Sequence, residues 1–416
     1  MGRKANRKLS RKASRDGSDD GVDFDSESLT ASEASVFSAG GITEGTNDST
    51  TDIFEWVDLL TERQKSVRLK ALNCVIRLLR NSPEEHADVS MCLETLSYNL
   101  GYLLRKSKGS EFESCCEAVR LLVSTVSKTT QENLSEQYYP LLEKLATSGT
   151  PDSRAQAIKT LSVLLWGDSG VNGEFCEVFI SLVTQILEKE SDTGVIVECL
   201  KCWGILVTSE HMYDHVKEAR FELCDLFLDL CEHDSVQVRC LAGENLALLL
   251  SLLLEDGSDE FDEWEVDFRV KWAKTVEVLC SEGSKGQSKR DFKSQWARFR
   301  RVISFIDDNK FIEEEFSVGE FQFTCSTWKK LKLLDMFKEI FKQSFLEHIK
   351  YNQHIHVTFN LTEHQVQLQF QKRSLSKVEK RLYYSPNSVT SKSQTRIRNK
   401  QIRDREACKS RFLSFD

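Results

Sequence analysis

The sequence predicts a mostly α-helical protein: an α-solenoid of stacked helical repeats, a small C-terminal α+β module and a disordered N-terminal tail. Three observations predict it. A small residue followed by large apolar residues at +4, +7 and +8 recurs five times at nearly constant spacing. Only four prolines occur in 416 residues, and none falls inside an expected helix interior. Past residue 311 the apolar period shortens from helical to two.

Residues 1–50 are rich in Ser, Gly, Asp and Glu and poor in large apolar groups. Such a segment cannot offset the entropy of ordering, so disorder is expected. Its basic run (Arg3-Lys4, Arg7-Lys8, Arg11-Lys12) fits a nuclear-import signal, a weak RNA contact or a solubilising tail. Ser14 and Ser18 are candidate phosphorylation sites.

The repeat domain is expected over 51–310. Ala71 leads Val75, Leu78 and Leu79; Cys115 leads Val119, Leu122 and Val123; Ala157 leads Leu161, Leu164 and Leu165. Cys199 leads Trp203, Leu206 and Val207, and Ala242 leads Leu246, Leu249 and Leu250. The leading residues are 44, 42, 42 and 43 apart. These offsets keep all four residues on one helical face, and the small residue admits a neighbouring helix. Second amphipathic segments lie between them, around Leu93–Leu104, Leu141–Leu145, Val178–Leu187 and Leu223–Leu230. A two-helix unit at this period is of armadillo/HEAT type, and one unit cannot bury its own apolar face. Pro83, Pro140 and Pro151 are each expected at a helix start, where a missing N–H is tolerated.

Arg68, Arg154 and Arg239 each stand three residues before a small residue. Bonds from these side chains to backbone or carboxylate groups, tying adjacent repeats together, are the favoured reading over a ladder for a ligand. The acidic loop 255–263 and the Gly/Ser/Lys stretch 281–290 interrupt the pattern. A terminal helix carrying Trp296, Val302, Phe305 and Ile306 follows.

A C-terminal α+β module is expected over 311–371, packed on the solenoid end. Phe321, Phe323 and Cys325 alternate with polar residues, as do Ile355, Val357, Phe359 and Leu361, then Val366, Leu368 and Phe370. Alternation predicts half-buried strands, with a hairpin turn at 362–364. A long amphipathic helix, 328–349, is expected between them.

Net charge is −9, but it is segregated. Residues 1–16 carry +6, 17–55 carry ten acidic residues and no Lys or Arg, and 371–416 carry thirteen Lys/Arg against four acidic residues. A basic segment kept off an acidic body suits a polyanionic partner. The longest apolar run, Leu246–Leu254, is short and broken by Ser251. Residues 1–16 lack an apolar core for a signal peptide, and Asn6 stands where a myristoylation motif needs Ser or Thr. A soluble intracellular protein is expected, cytoplasmic with a nuclear pool if the basic ends serve import. Thirteen cysteines then read as reduced thiols. Cys74, Cys92, Cys199, Cys224 and Cys240 fall in apolar helical patterns, and Cys199-x-x-Cys202 lacks a second zinc pair.

No HExxH, Gly-rich phosphate loop or nucleophile elbow occurs. His354 and His356 share one face of the expected strand, which suits exposed polar positions better than a metal pair. The acidic pairs at 307–308 and 313–315 are expected in a surface turn without acid–base partners. No catalytic, cofactor or metal site is expected.

Residues 372–416 form a basic tail. Its candidate nucleic-acid contacts are Lys392, Arg396, Arg398, Lys400, Arg403, Arg405, Lys409 and Arg411, opposed only by Asp404 and Glu406. Ile397, Ile402 and Phe412 are too sparse to dock a helix on the body. Cations on all sides make an isolated helix self-repelling, and a polyanion would order it. Five arginines suit bidentate phosphate contacts and base stacking. Residues 391–411, if fully helical, span about 30 Å, slim enough for an RNA-lined channel. A solubilising or nuclear-targeting tail is the alternative.

Several stretches resemble the interferon-related developmental regulator family. Val238-Arg239-Cys240-Leu241-Ala242-Gly243-Glu244-Asn245-Leu246-Ala247-Leu248-Leu249 is similar to that family's R-x-x-A-G-E-x-L-A-L-L signature. Lys289-Arg290, Phe299-Arg300 with Val302, Trp328 with Phe337-Lys338-Glu339, and Glu379-Lys380-Arg381-Leu382-Tyr383 match in order. The resemblance covers roughly 52–411. After Leu361 it departs, with Thr362-Glu363-His364 where family members carry a Gly-Pro turn. The resemblance implies an armadillo-type solenoid with a family-specific C-terminal domain. It further implies either binding to idle ribosomes, with a basic C-terminal helix in the mRNA path, or transcriptional co-regulation through protein partners gripped by the solenoid.

Overall fold

Five small residues recur because five helices approach one another closely. The computed structural model describes residues 53–361 except 82–85, 167–172, 210–211, 255–262, 282–288, 309–312 and 319–320. The N-terminal tail 1–50, Pro83, the strand at 366–370 and the basic tail 372–416 lie outside the described residues. Helices α1 (Ile53–Leu59) and α2 (Lys65–Asn81) form the first pair; after short α3 (His86–Met91), α4 (Leu93–Lys106) and α5 (Ser110–Val123) form the second. The third pair is α6 (Lys128–Ser148) with α7 (Pro151–Leu165), and the fourth α8 (Gly173–Lys189) with α9 (Thr193–Leu206). Short α10 (Tyr213–Glu218) precedes the fifth, α11 (Arg220–Leu230) with α12 (Val236–Leu254). A sixth pair, α13 (Glu263–Ser281) with α14 (Lys289–Asp308), closes the stack, α13 being a helix that the sequence reading omits.

The second helix of each pair packs directly on the second helix of the next, so α2, α5, α7, α9, α12 and α14 form a continuous ladder. Ala71, Cys115, Ala157, Cys199 and Ala242 all lie in this ladder and are fully buried. Large side chains such as Tyr138, Phe179, Trp203 and Phe227 fill the space between ladder and outer layer. Each such burial stabilises by about 1.5–3 kcal/mol. By length and composition α12 is apolar enough to cross a membrane, yet most of it is buried among its neighbours.

Helix starts follow local chemistry. Ser127, Thr150 and Asp192 each accept a bond from a backbone N–H of the first turn, and Pro151 opens α7. Pro140 is a correction: it sits inside α6 and not at a helix start. Leu134, Tyr138 and Tyr139 before it and Leu142 and Ala146 after it are all buried, so tertiary packing carries the helix across the missing N–H.

The three arginines tie repeats together. Arg68 Nε donates to Glu111 Oε1 of the next pair at 2.6 Å, and Nη1 to the carbonyls of Glu62 and Arg63. Arg154 pairs with Glu190 at 2.5 Å and donates to the Ala146 carbonyl. Arg239 donates to Gln295 of the sixth pair and to the carbonyls of His233 and Asp234.

After the ladder, β1 (Glu314–Val318) pairs antiparallel with β2 (Phe321–Cys325), Phe316 opposite Phe323. Glu314 and Glu315 thus belong to a strand and not to the expected turn. The expected helix over 328–349 is two helices, α15 (Trp328–Phe341) and α16 (Phe345–Tyr351), separated by a 3-10 turn at Lys342–Ser344. Lys342, with φ of 50°, breaks it. The strand expected through Ile355, Val357 and Phe359 is also corrected, because Gln353–Phe359 is helix α17. Only Ile355 and Phe359, four apart, are buried there, while Val357 is exposed. Asn352 caps its start by accepting from the backbone N–H groups of His354 and Ile355, and Asn360 ends it in a left-handed conformation.

Candidate functional site

Solenoids bind along their ladder face, and here α15 to α17 lie across that face as a strap. From Trp328 to His348 the strap meets the pairs in reverse chain order; α17 then turns back, bringing His354 beside Trp166 and Phe359 beside Phe337. At the sixth pair the Trp328 ring meets Phe305 edge-on, with centroids 5.9 Å apart. At the fifth, Lys332 Nζ reaches Glu244 Oε2 at 2.9 Å. At the fourth and third, Glu339 sits between Lys201 and Lys159, and Phe337 packs edge-on against Trp166 at 5.3 Å. At the second, Lys342 pairs with Glu117 at 2.5 Å, and Asn352 and His354 bond the carbonyls of Ser124 and Val126. At the first, Ser344 bonds Asn81, and the buried His348 bonds the Arg80 carbonyl at 2.7 Å while stacking on Phe341.

The fifth-pair contact explains the residues that carried the resemblance. Gly243 in α12 lies where a Cβ would come within 2.7 Å of the Phe299 ring, so only glycine lets α14 approach. Glu244, one residue on, is buried and receives Arg298 Nε and Nη2 at 2.6 and 2.7 Å as well as Lys332. Burial alone would raise its carboxyl, but Arg298 and Lys332 outweigh that and hold it down to about 2. Asn245 donates to the Leu200 carbonyl of the fourth pair at 2.9 Å. Ala242-Gly243-Glu244-Asn245 therefore joins four elements: α9, α12, α14 and the strap. Trp328, Phe337 and Glu339, also quoted for the resemblance, are strap anchors.

His354 and His356 do not converge, because His356 Nε2 bonds the Ile349 carbonyl and His354 turns to Val126. Among the described residues no group of three or more His, Cys, Asp or Glu is arranged to hold a metal. The eleven described cysteines are thiols, ten of them buried. Burial pushes Cys116 and Cys240 up to about 11 and Cys199 to about 12, the opposite of an activated nucleophile. A solvent-open groove of about 630 Å³ between α6 and α8, lined by Glu143, Glu177, Val178, Leu182 and His215, assembles no nucleophile–base pair. The eight candidate nucleic-acid contacts, Lys392 to Arg411, lie outside the described residues. The strap's course over the ladder is what sequence reasoning missed; its helical period was visible, but its docking face was not.

A family model described as interferon-related developmental regulator matches residues 23–307, and a second, described as interferon-related protein conserved region, matches 352–407. Interferon-related developmental regulator 1 of Mus musculus is 25% identical over 378 residues, covering 86% of this chain and 81% of that protein. The Homo sapiens form is 24% identical with the same coverage. Interferon-related developmental regulator 2 of Mus musculus is 23% identical over 376 residues, covering 85% and 81%. Among solved structures, a designed armadillo repeat protein has 12% identity, covers 60% of this chain and 98% of that one, and gives a TM-score of 0.42. The archaeal HEAT-like repeats protein from Thermococcus onnurineus NA1 has 16% identity, 60% and 88% coverage and a TM-score of 0.40.

Proposed function

The chain belongs to the interferon-related developmental regulator family, and from that premise we propose that it is a non-enzymatic translational regulator of idle ribosomes. Its partners are rRNA and ribosomal proteins in the cytoplasm. The tail Lys392–Arg411 orders on rRNA along the mRNA path and excludes message, while the solenoid positions it.

One observation carries this reading over the alternative. A co-regulator that grips peptide segments needs an open ladder face, and the strap occupies that face at every helix pair. The basic tail is then the element of the chain best suited to an outside partner, and most of it lies within the second matched segment. Its charge supports a polyanion: thirteen Lys/Arg against four acidic residues over 371–416.

Reversing the five tail arginines (Arg396, Arg398, Arg403, Arg405 and Arg411) to Glu tests the mechanism. Ribosome affinity should collapse, and each lost phosphate contact should flatten the log–log salt slope by about 0.7–0.9. Unchanged affinity would refute the tail as the rRNA ligand. The nuclear co-regulator reading makes a different demand. Deleting residues 1–16 and the tail would have to abolish nuclear accumulation while leaving protein-partner binding intact.

A further inference from the structure

Arg68 draws two basic turns together. Its Nη1 donates to the carbonyls of Glu62 and Arg63 in the turn before α2, and its Nε to Glu111 at the start of α5. The turns at 60–64 and 107–109 therefore lie side by side. Arg63 and Lys65 flank the first, Arg105, Lys106 and Lys108 the second, and all five are exposed. Over 61–68 and 105–111 the acidic residues are Glu62 and Glu111, and Arg68 occupies Glu111. We propose that this double turn, with the tyrosine ridge of α4 beside it, is a binding surface for single-stranded RNA; this deepens the ribosome-binding reading and rests on it.

Helix stability does not account for these cations. Lys65 is the first residue of α2, whose first turn holds no acidic residue, so the helix dipole works against it. Lys108 stands two residues before α5, where the dipole again favours an anion. Only Arg105 and Lys106 sit at a helix C-terminus, where a cation is stabilising. Among the described residues no carboxylate pairs with Arg63, Lys65, Arg105 or Lys108. The corresponding turns of later pairs have the opposite sign. The fourth pair carries Glu188, Glu190 and Asp192 against Lys189, and the fifth carries Glu232 and Asp234 with no Lys or Arg over 231–235. The positive edge is a local feature of the first two pairs.

The outward ridge of α4 leads into this edge. On one flank of α4 the Ser97 carbonyl accepts from Gln137 and Tyr138 of α6, and on the other Asn99 donates to the Val57 carbonyl of α1. Tyr98, between them, projects outward and is 68% exposed. Tyr102 follows one turn on, with Lys106 Nζ donating to its hydroxyl at 2.6 Å and lying 5.0 Å from its ring centroid. Arg105 stands seven residues after Tyr98, about 10 Å along the axis on the same face. Glu94, in the first turn, is the one acidic residue of α4. Exposed rings beside a cationic track suit unpaired nucleotides, whose bases stack on the rings while their phosphates take Lys and Arg. A duplex keeps its bases stacked inside and would leave Tyr98 unused. An acidic peptide would need the cations but not the exposed ring face.

The test titrates full-length proteins by fluorescence anisotropy against a labelled uridine oligonucleotide of about 15 nucleotides, between about 50 and 200 mM salt. The triple Arg63→Glu/Lys65→Glu/Lys108→Glu places anions ahead of α2 and α5, where the dipole favours them, so its thermal melt should not fall. It should weaken binding about tenfold or more and lower the log–log salt slope by about 2. Tyr98→Ala should weaken binding about fivefold or more with the slope unchanged. Unchanged affinity in Tyr98→Ala would refute the single-strand reading of the ridge. Unchanged affinity and slope in the triple, with loss in the five-arginine tail variant described above, would refute this surface and leave the tail reading standing. Loss in the triple with an unaffected tail variant would support this surface and overturn the tail reading. Wild type that fails to bind this RNA yet sediments with purified ribosomes would refute the surface alone. If the triple kept RNA binding and lost only binding to polyglutamate, the edge would be a protein surface and the proposal wrong.

Discussion

Glu244 sits under the strap with two cations on its carboxylate, and its protonation is therefore coupled to folding. Its folded value of about 2 lies below the roughly 4.3 of an unfolded glutamate. The carboxylate thus contributes stability that is fully present above about pH 4.3 and is lost as pH falls toward 2. Chemical denaturation at a series of pH values should show wild type losing stability through that window, while Glu244→Gln loses less there. At neutral pH the same substitution should cost about 3–5 kcal/mol, because Arg298 and Lys332 are left facing a neutral amide. A variant equal in stability to wild type at pH 7 would contradict the buried network. Gly243→Ala should also destabilise, by about 1–3 kcal/mol, since the added methyl meets the Phe299 ring. The gain in helix propensity, about 1 kcal/mol, opposes this, so a raised melting temperature would show that the ring moves aside.

At the scale of elements, the strap behaves as part of the core. Trp328, Leu334, Phe337 and Phe341 are each at most 1% exposed, and Phe337 lies against Trp166 of the third pair. Phe337→Ala should cost about 3–5 kcal/mol by denaturant unfolding. A chain ending at Thr327 should bind a hydrophobic dye through the uncovered ladder face; no dye binding would mean that the face is closed without the strap. The ladder helices were legible in the sequence because their burial repeats at fixed offsets, as from Ala71 to Leu79 and from Ala242 to Leu250. Elements without that repetition were not. Ile355, Val357 and Phe359 alternate like a strand, yet Asn352 and Asn360 cap a helix in which only the i, i+4 pair is buried. The break at Lys342 has no glycine to announce it, and α13 follows an acidic stretch of sequence that hid its period.

Over the whole molecule, the strap's direction is the feature least visible in the sequence, because reversal along the ladder depends on side chains far apart in the chain, such as Glu339 with Lys159 and Lys201. The direction has a consequence for function. It fills the face that a peptide partner would use. A chain whose acidic middle is followed by a strongly basic tail is suited to RNA, and salt should weaken that binding steeply. The most direct measurement is sedimentation of cell lysate through a sucrose gradient at low and high salt, comparing the intact chain with one ending at Ser388. Ribosome binding through the tail predicts that the intact chain travels with monosomes at low salt, is released at high salt, and that the shortened chain stays at the top. Comigration of the shortened chain with monosomes, or failure of the intact chain to enter the gradient, would contradict it.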